Sequence, residues 1–299
     1  MTHIVFFNHF HNGDVHVSRG FVRKIMEKVW EKNPNVSFTY AHKNSGELLK
    51  DIDRLGHGGL QGCGSEHGGC FRNGNTIYIN TWYAQQHFKY MNRYGISIDT
   101  IYAALNDTCQ NILGFSLEDI SNDPKVFFPT IDYSRYQIGE VERWLAAHGE
   151  KKVFVSNGKV LSGQAHEFDM TPVIIRVAER HRDKMFIVSN REGAIDLPNV
   201  VFSSDIIKKS GNDLNENAYL SEHCDVIVGR ASGAATFALT QKNLFERQVK
   251  WLIFSNLIPN KYNKFWLNNL LQDKVSYATN MVVSDGILEE MFSIMDSNI

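Results

Sequence analysis

The chain of 299 residues is short of the features that would assign it to a specialised class. It has four cysteines, Cys63, Cys70, Cys109 and Cys224, too few to staple a chain of this length with disulfides. A reducing, cytoplasmic setting is the expectation. Net charge is only -2, which excludes a general nucleic-acid or membrane-surface binder but leaves room for local basic sites. No apolar run approaches the roughly 18 residues needed to span a bilayer. The start, Met1-Thr2-His3-Ile4, has neither a basic region nor a small-residue cleavage site, so no signal peptide is expected.

What is present is ordinary globular composition, 43% hydrophobic and 21% charged, in a length that suits two medium domains. Short apolar runs alternate with amphipathic stretches. Ile4–Phe7 reads as a strand, 15–32 as a helix with an apolar stripe at Val22, Ile25, Met26, Val29 and Trp30, and Val36–Tyr40 as a second strand. A helix over 46–55, a glycine-dense loop over 56–74, strand Thr76–Asn80 and helices near 82–94, 100–113 and 137–148 follow. The second half is more regular. Strands at 153–155, 186–188, 200–202, 225–228 and 251–254 are interleaved with helices at 172–178, 214–223, 234–241, 261–272 and 285–296. Thr171-Pro172 marks a helix start, and Asp213 to Glu216 has capping-box spacing. Alternation of this kind predicts α/β architecture with parallel sheets. Two such runs predict two doubly wound Rossmann-like domains, 1–149 and 150–299. No internal repeat or low-complexity tract is apparent.

In doubly wound sheets ligands sit beyond the carboxyl ends of the strands. Two turns with reactive side chains fall there. After the first strand comes Asn12-Gly13-Asp14, where a carboxylate ionised at neutral pH can take a proton from a hydroxyl. Asp is equally a favoured helix cap. His11 is a rival base or a partner that orients Asp14, and His9 and His16 lie close by. A metal site from these histidines lacks a recognised ligand spacing. After strand 225–228 comes Gly229-Arg230-Ala231-Ser232-Gly233. Glycine allows close backbone approach to a phosphate, the amides and Ser232 are donors, and Arg230 can clamp two phosphate oxygens. A plain strand-to-helix turn would use the same glycines. Ser156-Asn157-Gly158, with Ser162, Gln164 and His166 behind it, is a second candidate cradle. Glu216 is a candidate acceptor for sugar hydroxyls, although its spacing also suits a cap. His57, Cys63, His67 and Cys70 resemble a zinc ligand set only loosely, and a mobile acceptor loop reads as well. Trp82, Tyr83 and Tyr90 suit sugar stacking or core packing.

These turns resemble those of GT-B glycosyltransferases, and in particular the bacterial heptosyltransferases of glycosyltransferase family 9. Gly13-Asp14-Val15 is similar to the family's turn after its first strand. The run Ala218 to Gly229, ending Cys224-Asp225-Val226-Ile227-Val228-Gly229, is similar to its helix, strand and glycine loop. The resemblance implies a GT-B fold with an inter-domain cleft, an N-terminal acceptor domain and a C-terminal nucleotide-sugar domain. It implies an inverting, metal-independent transfer of a hexosyl or heptosyl group from a nucleotide-diphosphate sugar to a glycan or other hydroxyl acceptor, with no separate cofactor. By resemblance Asp14 is the base. Ser156, Asn157, Gly158, Gln164, Glu216, Gly229, Arg230, Ser232 and Gly233 hold the donor. The chain departs from the family at Ala231, where the family carries Asp, and at Thr236, where it carries His. A nucleotide-sugar epimerase and a non-catalytic nucleotide-sugar-binding homologue are the alternatives.

Overall fold

The computed structural model describes residues 2–65, 68–82, 98–161, 165, 168–230, 232–247, 249–254, 275–278 and 287–299. The helix expected at 261–272, and all but Trp82 of the one expected at 82–94, lie outside these residues. Among the described residues no helix is long and apolar enough to cross a membrane.

The chain forms two compact units, and their described residues part after Thr130. Helix Gly139–Ala147, which the sequence reading put at the end of the first domain, belongs to the second unit. The first unit carries strands β1 (His3–Phe7), β2 (Ser37–Ala41), β3 (Leu55–Gly58), β4 (Phe71–Asn73) and β5 (Thr76–Asn80) in the order β3-β2-β1-β5-β4. All pairings are parallel except β4 with β5. The apolar run of β1 is buried from Ile4 to Phe7, as a central parallel strand covered on both faces requires.

Helix α1 (Asn12–Lys32) follows β1. Val22, Ile25, Met26 and Val29 are buried, as the stripe predicts, whereas Lys24–Glu27 and Lys28–Glu31 pair on the wet side at 2.7 and 3.0 Å. Gly20 lets α1 press against the short 3-10 turn Pro124–Phe127, since a Cβ there would stand 2.2 Å from the Phe127 carbonyl oxygen. The helix expected over 46–55 is a single turn, Ser45–Leu48, and the chain then enters β3. The short strands β3 and β4 lack the apolar alternation by which a strand is recognised, and both fall at or near the glycine-dense loop.

The second unit carries β6 (Lys151–Ser156), β7 (Lys184–Val188), β8 (Val200–Phe202), β9 (Val226–Arg230), β10 (Lys250–Phe254) and β11 (Val275–Ala278). Their order is β11-β10-β9-β6-β7-β8 and every pairing is parallel. Helix Thr171–Arg180 packs Val173, Ile174 and Val177 into the same apolar cluster as Val153, Val155, Phe186 and Val228, joined by Met291 and Met295 of helix Ile287–Asn298. Thr171 is the first helical residue rather than the cap, and its amide donates to Asp169 Oδ1 at 2.8 Å. The helix expected over 234–241 is one turn, Gly233–Thr236. Each sheet reverses its strand order once, between β1 and β5 in the first unit and between β6 and β9 in the second. Those reversals open crevices at the carboxyl ends of the strands.

Candidate functional site

At the first reversal β1 ends in Phe7 and β5 in Asn80, opposite each other in register. The chain beyond Phe7 is held from below by a buried polar network. Asn8 Nδ2 donates to Thr81 Oγ1 at 3.3 Å, Thr81 Oγ1 meets the Tyr40 hydroxyl at 2.9 Å, and Tyr40 meets Ser18 Oγ at 2.9 Å. Burial pushes the Tyr40 phenol well above its ordinary range, so it stays a neutral hydroxyl that donates and accepts. His42 braces the same loop: its Nδ1 accepts from the Asn44 amide at 3.1 Å and its Nε2 meets the Phe10 carbonyl at 3.2 Å. Burial lowers its pKa, which keeps the ring neutral.

Upon this platform α1 begins at Asn12, three residues before the expected start at 15. His11 is therefore the N-cap residue and Asp14 sits at the third helical position, not at the cap. Asp14 Oδ2 accepts the His11 backbone N–H at 2.9 Å, which closes the first turn from inside. Asp14 is half-buried and His11 is exposed. Burial raises the Asp14 carboxyl to about 6, against the lowering effect of the His11 hydrogen bond and ring. A carboxylate so placed ionises just below neutrality and is basic enough to draw a proton from a bound hydroxyl. The network residues Asn8, Ser18, Tyr40 and Thr81 escaped the sequence reading. Polar residues inside apolar strands and on an apolar helix face were the available signal.

At the second reversal Ser156 lies in register with Gly229. A Cβ on Gly229 would come 3.3 Å from that of Ser156 and 3.2 Å from that of Ala235, so glycine permits this close approach. Ser156 Oγ is buried and has no partner among the described residues. Gly158 is packed as tightly, with a built Cβ 2.8 Å from that of Ala234. Asn157 is occupied: Nδ2 donates to the Asn190 carbonyl at 2.8 Å, while Oδ1 accepts from the Asn190 amide at 2.8 Å and from Ser189 Oγ at 3.2 Å. It ties the loop after β6 to the loop after β7. Ser232 caps the turn Gly233–Thr236 by accepting the Ala235 amide at 3.3 Å, and Thr236 Oγ1 donates back to the Ser232 carbonyl at 2.9 Å.

Arg230 is fully buried. Its Nη1 donates to the Phe168 carbonyl at 2.8 Å, and Nη2 donates to the carbonyls of Asn157 and Gly158 and to Glu192 Oε1, the last two each at 3.1 Å. These bonds correct the expectation of a guanidinium reaching out to phosphate, because the fork grips the loops themselves.

Glu216 is also fully buried, at the first turn of helix Leu214–Ser221. The expected capping box does not form, since Asp213 makes no side-chain cap bond. Glu216 Oε1 instead accepts from Lys209 Nζ at 2.9 Å and from the Gln137 amide at 3.3 Å, and Oε2 has no partner among the described residues. Gln164 and His166 lie outside the described residues, as do Ser162, Ala231, His67, Tyr83 and Tyr90. Of the loose zinc set, Cys63 is buried in an apolar cluster with Val5, Phe7 and Ala41, and His57 is exposed on β3. Among the described residues no three His, Cys, Asp or Glu side chains gather as a metal site. Trp82 is buried with its ring centroid 6.3 Å from that of Phe10, a packing role.

No protein family matches the chain by sequence, and no curated protein matches it significantly. Solved structures do. A glycosyl transferase of family 9 from Veillonella parvula DSM 2008 superposes with a TM-score of 0.55 at 13% identity, over 99% of this chain and 91% of that one. The E. coli heptosyltransferase WaaC, solved with ADP, gives 0.50 at 10% identity over 99% and 98%. The iron-containing dodecameric glycosyltransferase TibC of enterotoxigenic E. coli gives 0.50 at 10% identity over 99% and 74%. At these identities the likeness is one of fold, and the fold this chain shares is that of family 9 glycosyltransferases, the heptosyltransferases among them.

Proposed function

We propose that the protein is a glycosyltransferase that moves a hexosyl or heptosyl group from a nucleotide-diphosphate sugar to an acceptor hydroxyl, with inversion at the anomeric carbon. In this reading the first unit receives the acceptor, the second holds the donor, and the reaction takes place in a cleft of the GT-B kind. The observation that carries it is Asp14, a half-buried carboxylate raised to about 6 at the strand-order reversal of its sheet. The fold likeness supplies the reaction class.

Asp14 takes the acceptor's proton as that oxygen attacks the anomeric carbon. The bond from that carbon to the diphosphate oxygen breaks, and the nucleoside diphosphate leaves with the bonding pair. Exposed His11 stands beside Asp14 and steadies its charge. Negative charge on the leaving group is met by backbone amides of the Gly158 and Ser232–Gly233 loops, with Ser156 as a further donor, so the transfer proceeds without a bound metal or separate cofactor. Glu216 accepts hydroxyls of the donor through its second oxygen. Four free cysteines, three of them buried, suit the cytoplasm.

WaaC was solved with ADP, so ADP-sugars are the first donors to try, followed by UDP-, GDP-, CMP- and dTDP-sugars. Asp14→Asn is expected to lower the transfer rate by at least ~10²-fold while nucleotide binding persists. Near wild-type transfer by that variant would refute the base assignment. Thr236, turned back onto the Ser232 carbonyl, motivates the non-catalytic reading, which donor binding without turnover on any acceptor would favour. Conversion of donor alone would point to the epimerase.

A further inference from the structure

We propose that Arg230 is a positioning residue that shapes the loop after β6 into a seat for the donor's diphosphate and places a fixed positive charge beneath it. The inference rests on the donor reading above.

The geometry begins with two successive carbonyls, those of Asn157 and Gly158, both drawn onto Nη2 of one guanidinium. In a trans peptide the C=O and N–H of the same unit point in opposite directions. No cis peptide occurs among the described residues. The Gly158 and Lys159 amides, which share those peptide units, are therefore turned away from Arg230. Neither amide has an acceptor among the described residues. Successive outward amides form an anion-binding concavity. A third carbonyl, that of Phe168, is held by Nη1, which fixes the other side of the loop. Gly158 leaves no room for a different path, because a side chain would strike Ala234.

The charge is as informative as the shape. A buried guanidinium is ordinarily paired with a carboxylate buried beside it. Arg230 has one, Glu192, whose side chain is 23% exposed, and its Nε–H has no partner among the described residues. Glu192 balances the unit charge from a partly open edge, while three neutral carbonyls solvate the cation without cancelling it. A fold that needed only a loop staple could use a neutral donor such as Asn, which Asn157 already demonstrates between the loops after β6 and β7. A cation whose described counter-charge stands at a partly open edge, beneath outward amides, suits a multiply charged anion.

The test is titration calorimetry of the full chain with inorganic pyrophosphate and with ADP, alongside two variants checked for folding by circular dichroism. Arg230→Lys keeps the charge but loses the fork that gathers the carbonyls, so both dissociation constants should rise ~10-fold or more. Glu192→Gln removes the one counter-charge among the described residues, so pyrophosphate should bind ~3-fold or more tightly, with a steeper salt dependence. A loop staple with no electrostatic part predicts the opposite sign or no change for Glu192→Gln. Folded Arg230→Lys with wild-type affinity, or Glu192→Gln with unchanged or weaker affinity, overturns the proposal alone. If Arg230→Lys fails to fold, Glu192→Gln decides. Wild-type protein that takes up neither pyrophosphate nor any nucleoside diphosphate overturns the donor reading and this inference with it.

Discussion

In the proposed reaction Asp14 couples function to stability through a single proton. Its carboxyl is raised by burial to about 6, so the folded chain binds that proton more tightly than the unfolded chain does. The resulting stability is fully present below the ordinary aspartate range and is lost as pH rises through about 6. Asp14→Asn, which keeps an acceptor for the His11 amide, should therefore gain stability relative to wild type at pH 8 and lose that advantage by pH 3.5. Urea midpoints at the two pH values check this, and an equal difference at both would contradict it. With Asp14 as the proposed base, the rising limb of kcat/KM is expected near pH 6. At this scale the sequence is legible where chemistry is concentrated. That Gly13-Asp14 stands where β1 gives way to α1 could be read, because a buried apolar run marks the strand before it. Tyr40 and Thr81 could not, because a hydroxyl on a strand gives no sign of which side it faces or what it meets 41 residues away.

Elements are held by close approach and by buried charge. Gly20→Ala would push a methyl into the Phe127 carbonyl, so α1 or the 3-10 turn must move. A loss of ~2 kcal/mol or more is expected, read as a lower urea midpoint. Asp51 accepts from Arg19 at 2.5 Å and from Arg23 at 2.9 Å, with Arg19 fully buried. Asp51→Ala leaves two guanidinium groups without the carboxylate they share, and ~3–5 kcal/mol is expected to go. A change under ~1 kcal/mol would show that water reaches the site. Long elements were legible from apolar period: β1, β5, β9, β10 and α1 fall within a few residues of expectation. Short ones were not. The turns Ser45–Leu48 and Gly233–Thr236 and the strand Leu55–Gly58 are fixed by tertiary contacts, and glycine there looks the same in a loop and in an edge strand.

For the whole molecule, two sheets with separate cores predict unfolding that is not two-state. Calorimetry should resolve two overlapping transitions, and ADP or pyrophosphate should raise only the one that reports the second unit. A single transition with equal calorimetric and van't Hoff enthalpies would contradict this. Two doubly wound halves were legible from strand–helix alternation alone. The place of their parting was not: helix Gly139–Ala147 has the periodicity of any amphipathic helix, and the side it joins depends on bonds such as Gln137 to Glu216, 79 residues away. Arg23 adds a last point. It stands about three turns along the helix whose first turn carries Asp14, and its Nη1 holds the carbonyl of Thr130 at 3.1 Å, the residue at which the described chain leaves the first unit. One rod thus bears the Asp14 carboxylate at its tip and the anchor of the departing chain at its waist. Loosening the anchor would be felt first as blurred aim of the carboxylate, long before the sheet beneath gives way.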